Sequence, residues 1–160
     1  YQHRPYSDFI INNDNQTPNE TAEIIKGFIE HALSPKQQWL HLVERRWSAL
    51  LNGEKTSTLR LNEGFIHIGF LVYKDCPKEQ WAEVVYVTHV YYVPLRQANE
   101  IDGYDEHTPD METARRQMRV HYPEITLDTP ILLAKHLSVP ETKKLYPNEV
   151  KEILDAIKNS

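Results

Sequence analysis

The sequence predicts an α+β fold in which a small β-barrel is flanked by helices at both ends. Its 160 residues, of which 40% are hydrophobic and 26% charged, suit one globular core. Several segments have the residue pattern of β-strands, and turn-forming residues lie between them. Helical patterns precede the first long strand and follow the last one, whereas a parallel α/β sheet would have a helix between successive strands.

The net charge and the residue types exclude several classes of protein. A formal charge of −5 argues against a broad basic surface that coats nucleic acid, although it allows a local basic cleft. The single cysteine, Cys76, cannot form an intramolecular disulfide and suits a cytoplasmic protein. No apolar run approaches the roughly 20 residues that span a bilayer, so we expect no membrane partner. The sequence indicates no cofactor and does not define the oligomeric state.

Residues 1–36 are predicted to form an irregular arm and a helix. A short strand is expected at Phe9–Ile11. Thr17 can cap a helix whose first position is Pro18, and Glu20 follows three residues after the cap. Gly27 weakens the helical pattern. The apolar stripe of this helix consists of Ile24, Ile25, Phe28 and Ile29.

A second helix is predicted from Ser34 to Leu51. Its apolar residues keep the spacing of a single helix face. Gly53 suits the left-handed conformation that commonly closes a helix, and residues 55–60 should then leave as an extended segment rich in threonine. The apolar positions of this helix are Trp39, Leu42, Val43, Trp47, Leu50 and Leu51.

The rest of the chain is predicted to alternate between strands, loops and two further helices. Pro94 should end the pairing of the longest strand, and Pro123 should stop the helix before it. The predicted elements are a strand at Gly64–Tyr73, a strand at Trp81–Leu95, an acidic loop at Asn99–Asp110, a helix from Met111, a strand at Thr129–Leu137 and a helix at Glu149–Lys158.

Residues 53–60, GEKTSTLR, gather short polar groups between two cations. On a strand Thr58 and Arg60 would share one face and Lys55 would lie on the other. Lys55 would reach Thr58 only if the chain stays turn-like after Gly53. A lysine whose charged form is disfavoured by burial can activate a hydroxyl nucleophile. The plainer alternative is a surface lysine, a strand threonine and a salt-bridged arginine.

This segment resembles the G-x-K-x-x-[ET]-x-R signature of ASCH domains, which are similar in fold to the PUA domains of RNA-modifying enzymes. A glycine-led strand at Gly64 and a helix that ends at Tyr122-Pro123 match the same family order. The resemblance covers about Trp39 to Val139. It implies an ASCH domain at residues 37–139, preceded by the N-terminal segment and followed by a helical extension at residues 140–160.

The resemblance implies that the protein recognises RNA or a modified nucleoside or nucleotide. The cleft would be lined by Lys55, Thr58 and Arg60. Further ligand-binding candidates are Gly53, Thr56 and Arg116.

Two other functions stay open at this point. Some small bacterial ASCH proteins are amidohydrolases that remove the acetyl group from N(4)-acetylcytidine, and others resemble ribonucleases. In the amidohydrolase alternative, Thr58 would attack the acetyl carbonyl, Lys55 would accept its proton, and Glu106 would hold or protonate the leaving amine. Glu112 is the second candidate for that carboxylate. The other alternative is a protein-interaction module that uses the added helices.

The remaining polar and aromatic residues have plainer explanations. The eight histidines are scattered without close ligand spacing, so we predict no metal site. Tyr86, Tyr91 and Tyr92 are either half-buried strand residues or faces on which bases stack. The arginines around Arg116 fit an exposed helix face better than a phosphate site.

Overall fold

A computed structural model of the chain describes residues 9–14, 16–61, 63–97, 111–120 and 122–159. These residues form an α+β fold, as predicted. In chain order the elements are β1 (Ile10–Ile11), α1 (Pro18–Leu33), β2 (Trp39–Val43), a 3-10 turn (Glu44–Arg46), α2 (Trp47–Leu51), β3 (Ser57–Arg60), β4 (Gly69–Cys76), β5 (Ala82–Pro94), a 3-10 turn (Leu95–Gln97), α3 (Met111–Arg119), β6 (Pro130–His136), α4 (Val139–Leu145) and α5 (Pro147–Lys158).

The strands are hydrogen-bonded in the order β2-β4-β5-β6-β3, and β1 pairs with β5. The described residues divide into two compact units. The first unit takes them from Tyr1–Ser34, Ser57–Ile68 and His89–Lys135. The second unit takes them from Pro35–Thr56, Gly69–Thr88 and His136–Ser160.

In the first unit β1 lies parallel to the second half of β5, and β3 runs antiparallel to β6. Phe28 attaches α1 to this unit. Its ring is 1% exposed, stacks on Phe9 at 4.4 Å between centroids and meets the edge of Phe65 at 4.7 Å. The core of the first unit consists of Tyr91, Val93, Leu95, Ile125, Ile131 and Leu133.

In the second unit β2 lies parallel to β4, and β4 runs antiparallel to the first half of β5. Helix α5 covers one face of these strands because its Val150 packs against Val72 and Val84. Phe70 and Tyr146 extend this contact, with ring centroids 5.3 Å apart.

Helix α1 begins as the capping pattern predicts. The side-chain oxygen of Thr17 accepts a hydrogen bond of 3.2 Å from the backbone N–H of Glu20, and Pro18 occupies the first turn. Gly27, which weakens the helical pattern, has a packing role. A Cβ at this position would lie 2.3 Å from the ring of Phe65.

The predicted helix from Ser34 to Leu51 is wrong over most of its length. Residues 39–43 form strand β2, and only Trp47–Leu51 is α-helical. The side chains of β2 alternate, because Leu40 and Leu42 are buried whereas Trp39 is 46% exposed. Parallel pairing with β4 stabilises the extended conformation of these residues, although the spacing of their apolar side chains also fits a helix. The end of the helix at Asn52 and Gly53 is confirmed, with a φ of +89° at the glycine.

The other predicted elements exist with shifted bounds. The strand expected from Gly64 begins at Gly69, and residues 64–68 have no regular structure. Helix α4, at Val139–Leu145, was not predicted. The acidic loop at Asn99–Asp110 lies outside the described residues. Among the described residues no helix is both long enough and apolar enough to cross a membrane.

Candidate functional site

The motif at residues 53–60 is divided between the two units. Gly53, Lys55 and Thr56 belong to the second unit, whereas Thr58 and Arg60 belong to the first. Each group has its own surroundings and its own chemistry.

Thr58 and Arg60 lie together on β3, as the alternation of a strand predicts. The Nε–H of Arg60 donates to Oγ1 of Thr58 over 2.9 Å, and its Nη1 lies 3.4 Å from Oε1 of Glu63. Thr58 is buried, and the Arg60 side chain is 13% exposed. The two contacts fix the plane of the guanidinium group. The donation also favours negative charge on the Thr58 oxygen, because a charged donor stabilises an oxyanion.

Tyr122 belongs to the same electrostatic environment. Burial raises the pKa of its phenol, the Glu63 carboxylate raises it further, and the Arg60 guanidinium lowers it. The pKa of Tyr122 therefore depends on the charges of both members of the Arg60–Glu63 pair.

A pocket of about 310 Å³ in the first unit has Arg60 in its wall. We call it the Arg60 pocket. Phe65 and Tyr92 contribute aromatic rings, and Ile24 brings an aliphatic side chain from α1. Burial and the charge of Glu20 raise the pKa of Tyr92. The rest of the lining consists of Leu61, Gly64, Pro130 and Leu132. A cationic fork set in apolar and aromatic walls is a common composition for a small-molecule site.

Lys55 is buried in the second unit, with 2% of its surface exposed. Its backbone N–H donates to the carbonyl of Ala49 over 3.0 Å, so the chain turns directly after α2. The Nζ atom lies 5.8 Å from the centroid of the Tyr73 ring, which is itself fully buried. This is a cation–π contact.

His136 completes this buried polar group. Its Nδ1 lies 2.8 Å from the carbonyl oxygen of Leu137, which can only accept, so Nδ1 carries a proton. Its Nε2 lies 3.0 Å from the hydroxyl of Tyr73 and accepts from it in the neutral ring. Burial lowers the pKa of His136 to about 3, the bond to Leu137 opposes this change, and the charge of Lys55 adds to it.

Gly53 and Thr56 shape the chain through their backbones. The φ of +89° at Gly53 is a conformation that side-chain-bearing residues rarely adopt, and Pro140 and Ser138 lie close by. The carbonyl of Thr56 accepts from the N–H of His136 over 2.9 Å, while its side chain is exposed.

The other predicted site residues come from the later part of the chain. Glu106 lies outside the described residues. Glu112 and Arg116 are both exposed on α3. Within the described residues no group of three or more His, Cys, Asp and Glu side chains is placed to hold a metal ion.

The sequence reasoning missed two polar pairs. His31 and His67 are 36 residues apart in sequence, yet their Nδ1 atoms lie 2.8 Å apart in the first unit. No spacing rule could have predicted this contact. Tyr73 and His136 could have been suspected, because each is a polar residue at the end of a predicted apolar strand.

The comparisons with known proteins give little functional guidance. No family model matches the sequence, and no curated protein matches it. Among solved structures, the chain is similar to protein EF3133 from Enterococcus faecalis V583, a DUF984 family protein, with 14% identity and a TM-score of 0.42. The alignment covers 76% of this chain and 92% of that chain. The likeness is distant and says nothing about function.

Proposed function

We propose that this protein is an ASCH-type, PUA-like domain that recognises a nucleoside, a nucleotide or one base of an RNA in the Arg60 pocket. The observation that carries the proposal is the position of Arg60. Its guanidinium group is held by Thr58 and Glu63 and forms part of a pocket wall that also contains Phe65 and Tyr92.

A fixed guanidinium group suits the polar atoms of such a ligand. It is a planar fork of donors that can contact a phosphate or a base edge with two hydrogen bonds. Because Arg60 is anchored before the ligand arrives, little of its conformational freedom remains to be lost on binding.

The aromatic residues suit the base. Rings such as Phe65 and Tyr92 can stack with a nucleobase, at about 1–3 kcal/mol per stacked base. The volume of about 310 Å³ suits one nucleoside and not several stacked bases. We therefore propose a single nucleoside unit as the element that is recognised.

The proposal also includes the sequence-based predictions of fold family, domain bounds and cellular location. They include the PUA-like barrel, the ASCH domain at residues 37–139 with its two extensions, and the cytoplasmic location suggested by Cys76.

The test is to locate the binding site by NMR. Cytidine, N(4)-acetylcytidine and their 5′-monophosphates are titrated into the isotope-labelled full chain. We expect shift changes at the Arg60 Nε–H and at the Phe65 and Tyr92 rings. Shift changes confined to other residues, or none at all, would contradict the proposal.

The amidohydrolase alternative is favoured by one specific observation, the hydrogen bond from the Nε–H of Arg60 to Oγ1 of Thr58. The hydroxyl of Thr58, polarised by Arg60, is the proposed nucleophile. In this alternative the Thr58 hydroxyl gives up its proton as its oxygen bonds to the acetyl carbon, and the C–N bond breaks as the leaving amine takes up one proton. Water then cleaves the ester, which releases acetate and restores the hydroxyl.

Its test is acetate release from N(4)-acetylcytidine. Lys55→Ala and Thr58→Ala should each nearly abolish turnover. Thr58→Ser keeps a hydroxyl and serves as the matched control. If the folded, unmodified protein shows no turnover, the amidohydrolase alternative is wrong and ligand recognition is the function that remains.

A further inference from the structure

We propose that the Arg60 pocket is sensitive to pH, because two histidines, His31 and His67, hold one of its walls in place and separate in acid. The inference rests on the proposed function, since it concerns the regulation of the same pocket. His31 belongs to α1 and His67 to the segment of residues 64–68. Both α1 and this segment also contribute residues to the pocket wall.

The two histidine rings face each other through one pair of nitrogens. Their Nδ1 atoms lie 2.8 Å apart, and their ring centroids lie 4.9 Å apart. The difference is about two ring radii, so each Nδ1 points at the other. Only one hydrogen fits between nitrogens at this distance, and one of the two must accept it. The contact is therefore lost once both rings are positively charged, because a charged ring has no acceptor.

The surroundings of the pair keep both rings neutral at neutral pH. Partial burial lowers the pKa of His31 and of His67 below the ordinary 6.5, and the charge of His31 lowers that of His67 further. The second proton is therefore harder to add than the first. Because both pKa values lie below 6.5 in the folded chain, the contact is complete at neutral pH and is lost as the pH falls through them.

The charged groups on the elements around the pair have interactions of their own. These elements are α1, residues 63–68 and β5, which contacts α1 through the rings of Tyr92 and Phe28 at 6.4 Å between centroids. Glu23 is exposed on α1. The interacting groups are Lys26 with Glu30, Glu63 with Arg60, Lys135 with His89, and Glu20 with Tyr92. The charge that lowers the pKa of His67 is that of His31. We therefore expect the pH response to follow the two rings.

Phe65 connects the histidine pair to the pocket. It precedes His67 by two residues, and Ile66 between them is buried. The Phe65 ring packs against α1, since it meets the edge of Phe28 at 4.7 Å and a Cβ at Gly27 would lie 2.3 Å from it. The same ring lines the Arg60 pocket. Phe65 and His67 thus join the segment to α1 side by side.

Helix α1 presents the matching residues on one face. Ile24, Gly27, Phe28 and His31 are separated by three or four residues, so they follow one another along the helix. Ile24 lines the pocket, and His31 makes the histidine contact at the other end of this face. Loss of the histidine contact should therefore loosen Phe65 against α1 and weaken the wall on which a base would stack.

The experiment follows the wall and the ligand separately as the pH is lowered from 7.5 to 5. NMR of the ligand-free, isotope-labelled full chain records the rings of His67 and Phe65, and the ring of Tyr73 in the second unit reports global unfolding. We expect the Phe65 signals to change with the same midpoint as His67, while the Tyr73 signals stay constant.

The affinity for cytidine is then measured at the two ends of this pH range. It should be about fivefold or more weaker at pH 5, because the stacking contact with Phe65 is weakened. Cytidine replaces its monophosphate here because the second pKa of a phosphate group is about 6, within the range of the titration.

Matched variants separate the pair from other titrating groups. The double variant His31→Gln/His67→Gln keeps two side chains that can form a hydrogen bond but take up no proton, so its affinity for cytidine should be equal at both pH values. His89→Gln removes an imidazole of the same unit that lies outside the pocket lining. It should respond to pH as the wild type does.

Three outcomes would overturn the proposal. They are a Phe65 transition that does not follow His67, a measurable cytidine affinity that does not change with pH, and a pH response that persists in the double variant. The first two are measured in the wild type, so the test does not depend on the folding of a variant. A shared transition of Phe65 and His67 without cytidine binding at any pH would support the histidine contact as the pH-sensitive element and contradict the proposed function instead.

Discussion

The Nδ1 atoms of His31 and His67 lie 2.8 Å apart, at the contact between the end of α1 and the segment that precedes β4. One hydrogen can lie between two nitrogens at this distance, so one ring donates and the other accepts. A second proton on the line between them would break the bond. Burial lowers the pKa of both rings below the ordinary 6.5, and the charge of His31 lowers that of His67 further.

This pair predicts a coupled titration. In His31→Gln the pKa of His67 should rise towards 6.5, because one of the two causes that lower it is removed. The measurement is an NMR titration of the His67 ring nitrogens in both proteins. An unchanged or lower His67 pKa in the variant would contradict the contact.

Because burial lowers the pKa of His136, the stability of the protein should depend on pH. Its pKa is about 3 in the folded chain and about 6.5 in the unfolded chain, so the unfolded chain takes up the proton first as the pH falls. This contribution to stability is complete above pH 6.5 and is lost as the pH falls towards 3. Between those values the free energy of unfolding should decrease by about 1.4 kcal/mol per pH unit from this group.

The check is urea unfolding at several pH values for the wild type and for His136→Gln. The variant should lose stability less steeply with falling pH. Tyr73→Phe is the matched control, because it removes the hydroxyl that bonds to Nε2 but keeps the buried imidazole. Equal slopes in wild type and His136→Gln would contradict the assignment.

The substitution Gly27→Ala should lower the stability of the protein, although alanine favours a helix more than glycine does. Alanine would favour the helix by about 1 kcal/mol, but its Cβ would lie 2.3 Å from the Phe65 ring. The ring must shift, and overpacking of this kind typically costs about 1–3 kcal/mol. We expect a net destabilisation of Gly27→Ala by up to about 2 kcal/mol in thermal or urea unfolding. The double variant Gly27→Ala/Phe65→Leu should recover part of the loss, and purely additive effects would show that the two positions are not coupled.

Local signals in the sequence predicted much of the fold. The cap at Thr17, the helix end at Gly53 and the strand that Pro94 ends all depend on a few neighbouring residues. Residues 39–43 show where such signals fail. Their apolar residues satisfy both a helical and an alternating pattern, and pairing with β4, a segment about 30 residues away, decides between them.

The candidate site was predictable only in part. The alternation of a strand predicted that Thr58 and Arg60 share one face, and the structure adds the hydrogen bond between them. It could not predict the contact of Lys55 with Tyr73, or the ring contact of Trp47 with Trp81, since these join residues distant in sequence.

The most direct test of the central claim is a titration of the full chain with cytidine 5′-monophosphate and N(4)-acetylcytidine at low and high salt. It compares the wild type with Arg60→Lys and with Arg96→Lys, which alters an exposed arginine paired with Asp128 outside the pocket. We expect Arg60→Lys to weaken binding by about 5- to 150-fold, equivalent to about 1–3 kcal/mol for a lost two-bond contact. Arg96→Lys should match the wild type, and affinity for the monophosphate should fall as salt rises. Equal affinities of wild type and Arg60→Lys for every ligand would contradict recognition by the Arg60 pocket.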